Sequence, residues 1–254
     1  MRIRLDIAYK GTNYQGWQRQ GHTEQTVQAL LEKHLCEVMN SEIRLHASGR
    51  TDTGVHARRQ VLHFDCSELG GRKLKYALNR LLPNDVVVLA AYEAPSDFHA
   101  RFSAEKKEYR YYCYHDTQPD PFLADTAMYL KRPPDLAQLN AYAAQFVGEM
   151  DFSALQNTGT EVRSTKRQVE MAEWKKSEQL YEFRVIGNGF LKQMVRNMVG
   201  LQLAALEKEK NTAFIREILQ AKSKQKAFRP APACGLFLYE LYYPSELDNR
   251  CRKI

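Results

Sequence analysis

The chain has 254 residues, enough for one large domain or two smaller ones whose core closes without a metal or a disulfide. Its 37 Lys and Arg against 30 Asp and Glu give a formal charge of +7, which favours an anionic partner such as nucleic acid. Five cysteines, an odd number with no C-x-x-C pair, argue against a disulfide framework or a zinc knuckle and for free thiols in a reducing compartment. No apolar run approaches membrane-spanning length, and no basic-then-apolar signal precedes the first alternating segment. The expectation is a soluble, cytoplasmic protein with no membrane partner.

Ile3, Leu5, Ile7 and Tyr9 alternate with polar residues and predict a half-buried strand. A polar loop over 10–25 follows, holding Gly16-Trp17-Gln18-Arg19-Gln20. For Trp17 the two readings are packing against the sheet and contact with a nucleotide. Val27, Leu30, Leu31, Leu35 and Val38 stripe a helix over Thr26–Asn40. Strands are predicted at Ile43–Ser48 and Gln60–Asp65, a helix at Arg72–Leu81 with Leu74, Ala77, Leu78 and Leu81 on one face, and a buried strand at Val86–Leu89. Strand, helix, strand, strand, helix, strand is the ferredoxin-like order.

Further on, Glu108–Tyr114 is a strand by its aromatic content. A helix is predicted over Asp135–Val147, strands over Gln168–Trp174 and Leu180–Ile186, helices over Phe190–Leu206 and Thr212–Ala221, and a closing strand over Gly235–Tyr242. The second half repeats the order of the first with one helix added. The fold class is therefore α+β. Two ferredoxin-like halves, 1–104 and 105–254, join antiparallel sheets into one central sheet, with helices on one side. The Lys222-Ser223-Lys224-Gln225-Lys226 run is a basic loop whose plain reading is a solvated one.

Ser48-Gly49-Arg50-Thr51-Asp52-Thr53-Gly54-Val55-His56-Ala57 sits between two predicted strands. Its glycines allow a sharp turn and a close approach by another molecule, with a carboxylate and a guanidinium two residues apart. A plain hairpin loop with a solvated ion pair fits the same residues. The stretch resembles the signature of the tRNA pseudouridine synthases of the A type, GRTDAGVHA, departing from it only at Thr53. Further stretches are similar to that family: Gly16–Gln20, Thr26-Val27-Gln28, Phe98–Ala104 (FHARFSA) with Tyr109-Arg110-Tyr111, Gly189–Gly200, and Gly235-Leu236.

The resemblance implies a central sheet, an active-site cleft between two domains and a homodimer. It implies isomerisation of uridine to pseudouridine at tRNA positions 38, 39 or 40 in the anticodon stem-loop. Asp52 matches the catalytic aspartate, and Arg196 the arginine beside it. Tyr109 matches a tyrosine that contacts the target base, and Leu236 a leucine that lines the pocket. Each has a plainer alternative: Arg196 as a surface residue of an amphipathic helix, Tyr109 (or Tyr111 or Tyr112) as a core strand tyrosine, Leu236 as sheet packing. Arg50, two residues from Asp52, is a second cation able to keep a carboxylate ionised. His56 and His99 fall in family stretches as loop hydrogen-bonders or RNA contacts. Pseudouridine formation breaks one bond and makes another with nothing oxidised, so no cofactor is expected, and no histidine pair has metal-ligand spacing.

Three other readings compete. Asp52-Thr53-Gly54 is the D-T-G of aspartic proteases, but arginine rather than an apolar residue precedes it and would hinder proton sharing. A non-catalytic RNA-binding module fits two ferredoxin-like halves, but the aromatic RNP1 pattern is absent. A paralogous synthase with a shifted target remains compatible with every stretch named.

Overall fold

The Ile3–Tyr9 alternation forms strand β1 (Arg2–Tyr9), with all four apolar side chains buried. A computed structural model describes residues 1–69, 73–157, 163–221 and 228–254. The Lys222–Lys226 run and the expected first helical residue Arg72 lie outside the described residues. After β1 come α1 (Val27–Met39), β2 (His46–Ala47), β3 (His56–Asp65), α2 (Leu74–Leu81) and β4 (Val86–Ala94). Then follow β5 (Lys106–Tyr114), β6 (Met128–Tyr129), α3 (Leu136–Ala143), β7 (Gly148–Asp151), β8 (Lys166–Ser177) and β9 (Leu180–Gly187). The chain closes with α4 (Met194–Glu207), α5 (Thr212–Gln220), β10 (Leu236–Tyr242), α6 (Ser245–Asn249) and β11 (Arg252–Lys253).

The α+β class is as the sequence predicts. Local chemistry sets several boundaries. Thr26 caps α1 by accepting from the Ala29 N–H at 3.3 Å, and Asn40, with φ of 51°, ends it. Asp135 and Asn211 cap α3 and α5 in the same way. Four expectations shift. The helix over Phe190–Leu206 starts instead at Met194, because Gln193 has φ of 61°. Leu81 is exposed rather than inward, and Leu82, where the backbone turns extended, takes the buried place. The strand expected to be buried at Val86–Leu89 is half-buried: Val86 and Val88 face inward while Val87 and Leu89 are exposed. The strand expected at Ile43–Ser48 is only the two residues of β2, whereas β3 begins at His56, four residues early.

The chain divides into two compact units, Met1–Lys106 with Phe237–Ile254, and Lys107–Leu236. The last segment thus groups with the first unit rather than with the second half, because its strands pair there. In the first unit β1 lies between β4 and β3, antiparallel to both. The far edge of β3 is shared: β2 pairs antiparallel at Leu62 and His63, and β10 pairs parallel at His56 and Ala57. Strand order β4-β1-β3-β2 is ferredoxin-like, with β10 and β11 added; β11 pairs with β4. The parallel pairing of β10 makes the sheet mixed rather than purely antiparallel. In the second unit β5-β9-β8-β7 is antiparallel, and β6 adds a parallel bridge to the end of β5.

A buried ion network ties the C-terminal segment to the first unit. Arg4 is almost fully buried and donates to Asp6 at 2.8 Å and to Asp248. Its guanidinium lies 5.0–5.4 Å from the ring centroids of Tyr92, Phe98 and Tyr243. Arg59 bridges Asp6, at 2.8 Å, and Glu240. Hydrogen bonds to Asp6 and Asp248 hold the Arg4 guanidinium protonated, outweighing the desolvation that opposes its charge.

Candidate active site

The loop carrying Asp52 is held from three directions, mostly by neutral groups. At its base the Ser48 N–H donates to the Val61 carbonyl at 2.9 Å, and Gln60 Nε2 donates to the Gly49 carbonyl at 2.8 Å while Ser48 Oγ donates to Gln60 Oε1. Above it, Tyr9 Oη and Thr51 Oγ1 share a buried hydrogen bond at 2.8 Å, and the Trp17 N–H donates to the Thr51 carbonyl at 3.0 Å. Burial pushes the Tyr9 phenol well up, so it stays neutral. Beyond Asp52 the Val55 N–H closes a turn on the Asp52 carbonyl at 3.1 Å, with Gly54 at φ of 77°.

Two glycines of the preceding loop make this packing possible. A Cβ at Gly11 would stand 2.0 Å from the Val55 carbonyl oxygen. One at Gly16, whose φ is 84°, would stand 2.8 Å from the Thr51 carbonyl oxygen and 3.2 Å from the Asp52 carbonyl carbon. The backbone of the polar loop therefore lies directly against the backbone around Asp52. The Gly11 N–H donates to His56 Nδ1 at 2.9 Å, so neutral His56 carries its proton on Nε2, and the ring stacks on Phe237 at 4.5 Å. Asp52 itself is half-buried and Arg50 exposed. Trp17 is 2% exposed, which settles its two readings in favour of packing.

In the second unit, strand alternation puts Tyr109, Tyr111 and Cys113 on one face of β5. Tyr111 is the core tyrosine: fully buried, it donates to the Pro232 carbonyl at 2.9 Å, and burial pushes its phenol far up. Gly235 makes room for that ring, because a Cβ there would stand 2.6 Å from Tyr111 Cζ. Leu236 follows directly and is buried at the start of β10. Tyr109 is buried nearer the surface and meets Phe190 edge-on at 5.1 Å.

Arg196 is half-buried on α4. Its Nε donates to the Ala231 carbonyl at 2.8 Å, and its own carbonyl accepts from the Ala231 N–H at 3.0 Å. The charge acts on the Tyr111 phenol and the Cys234 thiol, opposing the upward push of burial on each. Gly200 serves this docking, because a Cβ there would stand 2.0 Å from the Arg229 carbonyl oxygen. The guanidinium is thus aimed by a backbone clamp, unlike that of a surface arginine.

The structure brings Asp52 and Arg50 together on one loop of the first unit, and Tyr109, Arg196 and Leu236 onto the β5 face and 229–236 segment of the second. Sequence reasoning missed the positioning residues Tyr9, Gly11, Ser48, Gln60 and Phe190. Ser48 and Phe190 sat inside the quoted stretches and could have been found; Gln60 carried no local signal. A cavity of about 450 Å³ bounded by Tyr114, Pro121, Met128, Pro232 and Cys234 holds none of the five predicted residues. Among the described residues no group of three His, Cys, Asp or Glu could hold a metal, and no helix is long and apolar enough to cross a membrane.

The chain thus carries a glycine-clamped aspartate loop in one unit and a tyrosine–arginine face in the other. The family model described as tRNA pseudouridine synthase matches residues 7–103 and 142–244, and the chain belongs to that family. Asp52, Arg50, Arg196 and Leu236 lie within the matched segments; Tyr109 lies between them. Three relatives, each named tRNA pseudouridine synthase A, are similar nearly end to end. The one from Bdellovibrio bacteriovorus is 40% identical over 100% of this chain and 99% of its own length. Those from Maridesulfovibrio salexigens and Bacillus subtilis are 42% and 37% identical, over 95% and 96% of this chain and 90% and 99% of their own. Family membership displaces the protease reading of Asp52-Thr53-Gly54 and the non-catalytic one.

Proposed function

We propose that this protein isomerises uridine to pseudouridine at positions 38, 39 or 40 of the tRNA anticodon stem-loop, with Asp52 as the catalytic carboxylate. The observation that carries this reading is the Asp52 loop, whose backbone is fixed on both sides by glycine contacts and neutral hydrogen bonds. Neutral neighbours fix the backbone that carries the carboxylate. The reaction breaks the N1–C1′ bond, turns the freed uracil and joins C5 to C1′. The C5 proton leaves, N1 ends protonated, and the atoms of substrate and product are the same. No oxidant, group donor or cofactor enters that balance.

Arg50 and Arg196 supply positive charge that favours the ionised carboxylate. The clamp of Arg196 on Ala231 supports this role, since a fixed guanidinium stabilises charge without reorganising. Tyr109 stacks on the extruded base, and Leu236 contributes an apolar wall. The first unit carries the catalytic carboxylate and the second the base-binding face. By resemblance to the family the protein works as a homodimer in the cytoplasm. Carbodiimide mapping of tRNA from cells lacking this gene tests the reading. Loss of pseudouridine at 38–40, restored by the wild-type gene but not by Asp52→Asn, is expected. Unaltered modification in the deletion strain would overturn it.

A further inference from the structure

At the end of β3 remote from Asp52, four rings form a graded stack. His63 is 2% exposed and packs against His46 at 4.9 Å and His99 at 4.5 Å. His99 in turn meets Phe102 at 4.3 Å, and Phe102 is 76% exposed. An exposed phenylalanine on a loose loop would mean little, but this loop is rigid. The Ser103 N–H donates to the His99 carbonyl at 3.0 Å, and the His99 N–H donates to Ser103 Oγ at 2.9 Å. His99 Nδ1 accepts from the Arg101 and Phe102 N–H groups at 3.1 and 3.3 Å, while His63 Nδ1 accepts from the Ala100 N–H at 3.2 Å. The ring is therefore held out to solvent by the backbone of its own turn, from a buried anchor.

The flanking chemistry is cationic. Arg101, itself exposed, lies with Cζ 5.6 Å from the Phe102 centroid. Burial lowers the pKa values of His63 and His99 and Arg2 adds to it, although the Arg2 guanidinium is itself paired with Asp65 at 2.8 Å. Phe122 is more exposed still, at 92%, yet has no ring or cation neighbour of this kind among the described residues. A rigid aromatic ring with an arginine close to it matches an unpaired base and its phosphate better than an apolar protein surface. Seven residue steps of strand run from His56 to His63, so the stack stands on the order of 20 Å from the Asp52 loop. That distance makes it a separate subsite.

We propose that Phe102 is a stacking platform for an unpaired tRNA nucleobase other than the target uridine, with Arg101 at the adjoining phosphate. The proposal rests on tRNA being the substrate. Its test measures tRNA affinity against salt for the wild type, Phe102→Leu, Phe102→Trp and Arg101→Gln, together with oligomeric state and turnover. Loss of one stacked base should weaken binding roughly 5- to 100-fold in Phe102→Leu, with the salt slope unchanged, and Phe102→Trp should bind within about 2-fold of wild type. Arg101→Gln should lower the slope of log K against log salt by roughly 0.7–0.9. At saturating tRNA the turnover of Phe102→Leu should equal the wild type, the loss appearing in KM. Wild-type affinity in Phe102→Leu, or a change in its oligomeric state, would overturn the platform. If the wild-type protein formed no pseudouridine yet Phe102→Leu still lost tRNA affinity, the catalytic reading would fail and the platform would stand.

Discussion

Two groups of charged residues in the first unit are built on opposite plans. Around Arg4, charges hold charges: Asp6, Asp248, Arg59 and Glu240 satisfy one another in a largely buried network that joins β1 and β3 to the C-terminal segment. Around Asp52, neutral groups hold the backbone, and the charged side chains are left half-buried or exposed. The first arrangement is weakened most by removing its buried centre, Arg4 or Asp6, because the buried partner then loses half of its compensating charge. The second is expected to leave the loop standing when Asp52 or Arg50 is changed, because other groups make the hydrogen bonds named above. On the proposed reading, the charge that does chemistry is then uncoupled from the stability of the fold.

The widest separation between the two plans should come from Arg4→Met. It leaves Asp6 with Arg59 alone and takes the guanidinium from Asp248, and should destabilise the protein by roughly 3–5 kcal/mol, lowering Tm by on the order of 10 °C. Arg50→Gln should shift Tm by about 1 °C or less, and a large drop there would collapse the distinction. Next in size is Gly16→Ala. It has a Cβ 2.8 Å from the Thr51 carbonyl oxygen and an unfavourable φ, so the backbone under Asp52 must move. Turnover should fall at least about 10-fold, since small misplacements of a catalytic group weigh heavily, while melting records only about 1–3 kcal/mol. Arg196→Lys tests the clamp in the second unit. It keeps the charge but loses the Nε–H donated to Ala231, so turnover should fall several-fold with tRNA affinity within about 2-fold, and Arg196→Met should be slower again.

The smallest effect concerns pH. Burial, aided by the nearby His99 and Arg2 charges, lowers the pKa of His63 to about 4 from 6.5. Between those values the unfolded chain binds a proton that the folded one refuses, so stability falls as pH drops from about 6.5 towards 4. Thermal melts across that range should show Tm declining with acidity, and His63→Asn should flatten part of the decline. An equal slope in both proteins would remove His63 as the source.

Much of this was legible because its signals are local. Alternation fixed β1, Thr26 and Asp135 announced the starts of α1 and α3, and the Asp52, Arg196 and Leu236 stretches are contiguous in the chain. What was illegible depends on residues far apart in sequence. Nothing near Gln60 tells that its amide spans the base of the Asp52 loop, and nothing near Gly11 tells that Val55 will press against it. The two-residue strands β2 and β11 are too short to carry a period. The C-terminal segment reads as the end of the second half, and only its pairing with β3 and β4 returns it to the first.

The uncoupling of chemistry from stability is tested most directly by single-turnover pseudouridine formation and thermal melting, run side by side on wild type, Asp52→Asn and Asp6→Asn. Asp52→Asn should form no detectable pseudouridine in tRNA while binding it within a few-fold and melting within about 1 °C of wild type. Asp6→Asn should melt on the order of 10 °C lower, yet retain turnover at temperatures where it is folded. Appreciable turnover by a verified Asp52→Asn protein, or a loss of activity that merely tracks a fall in its melting temperature, would contradict the assignment.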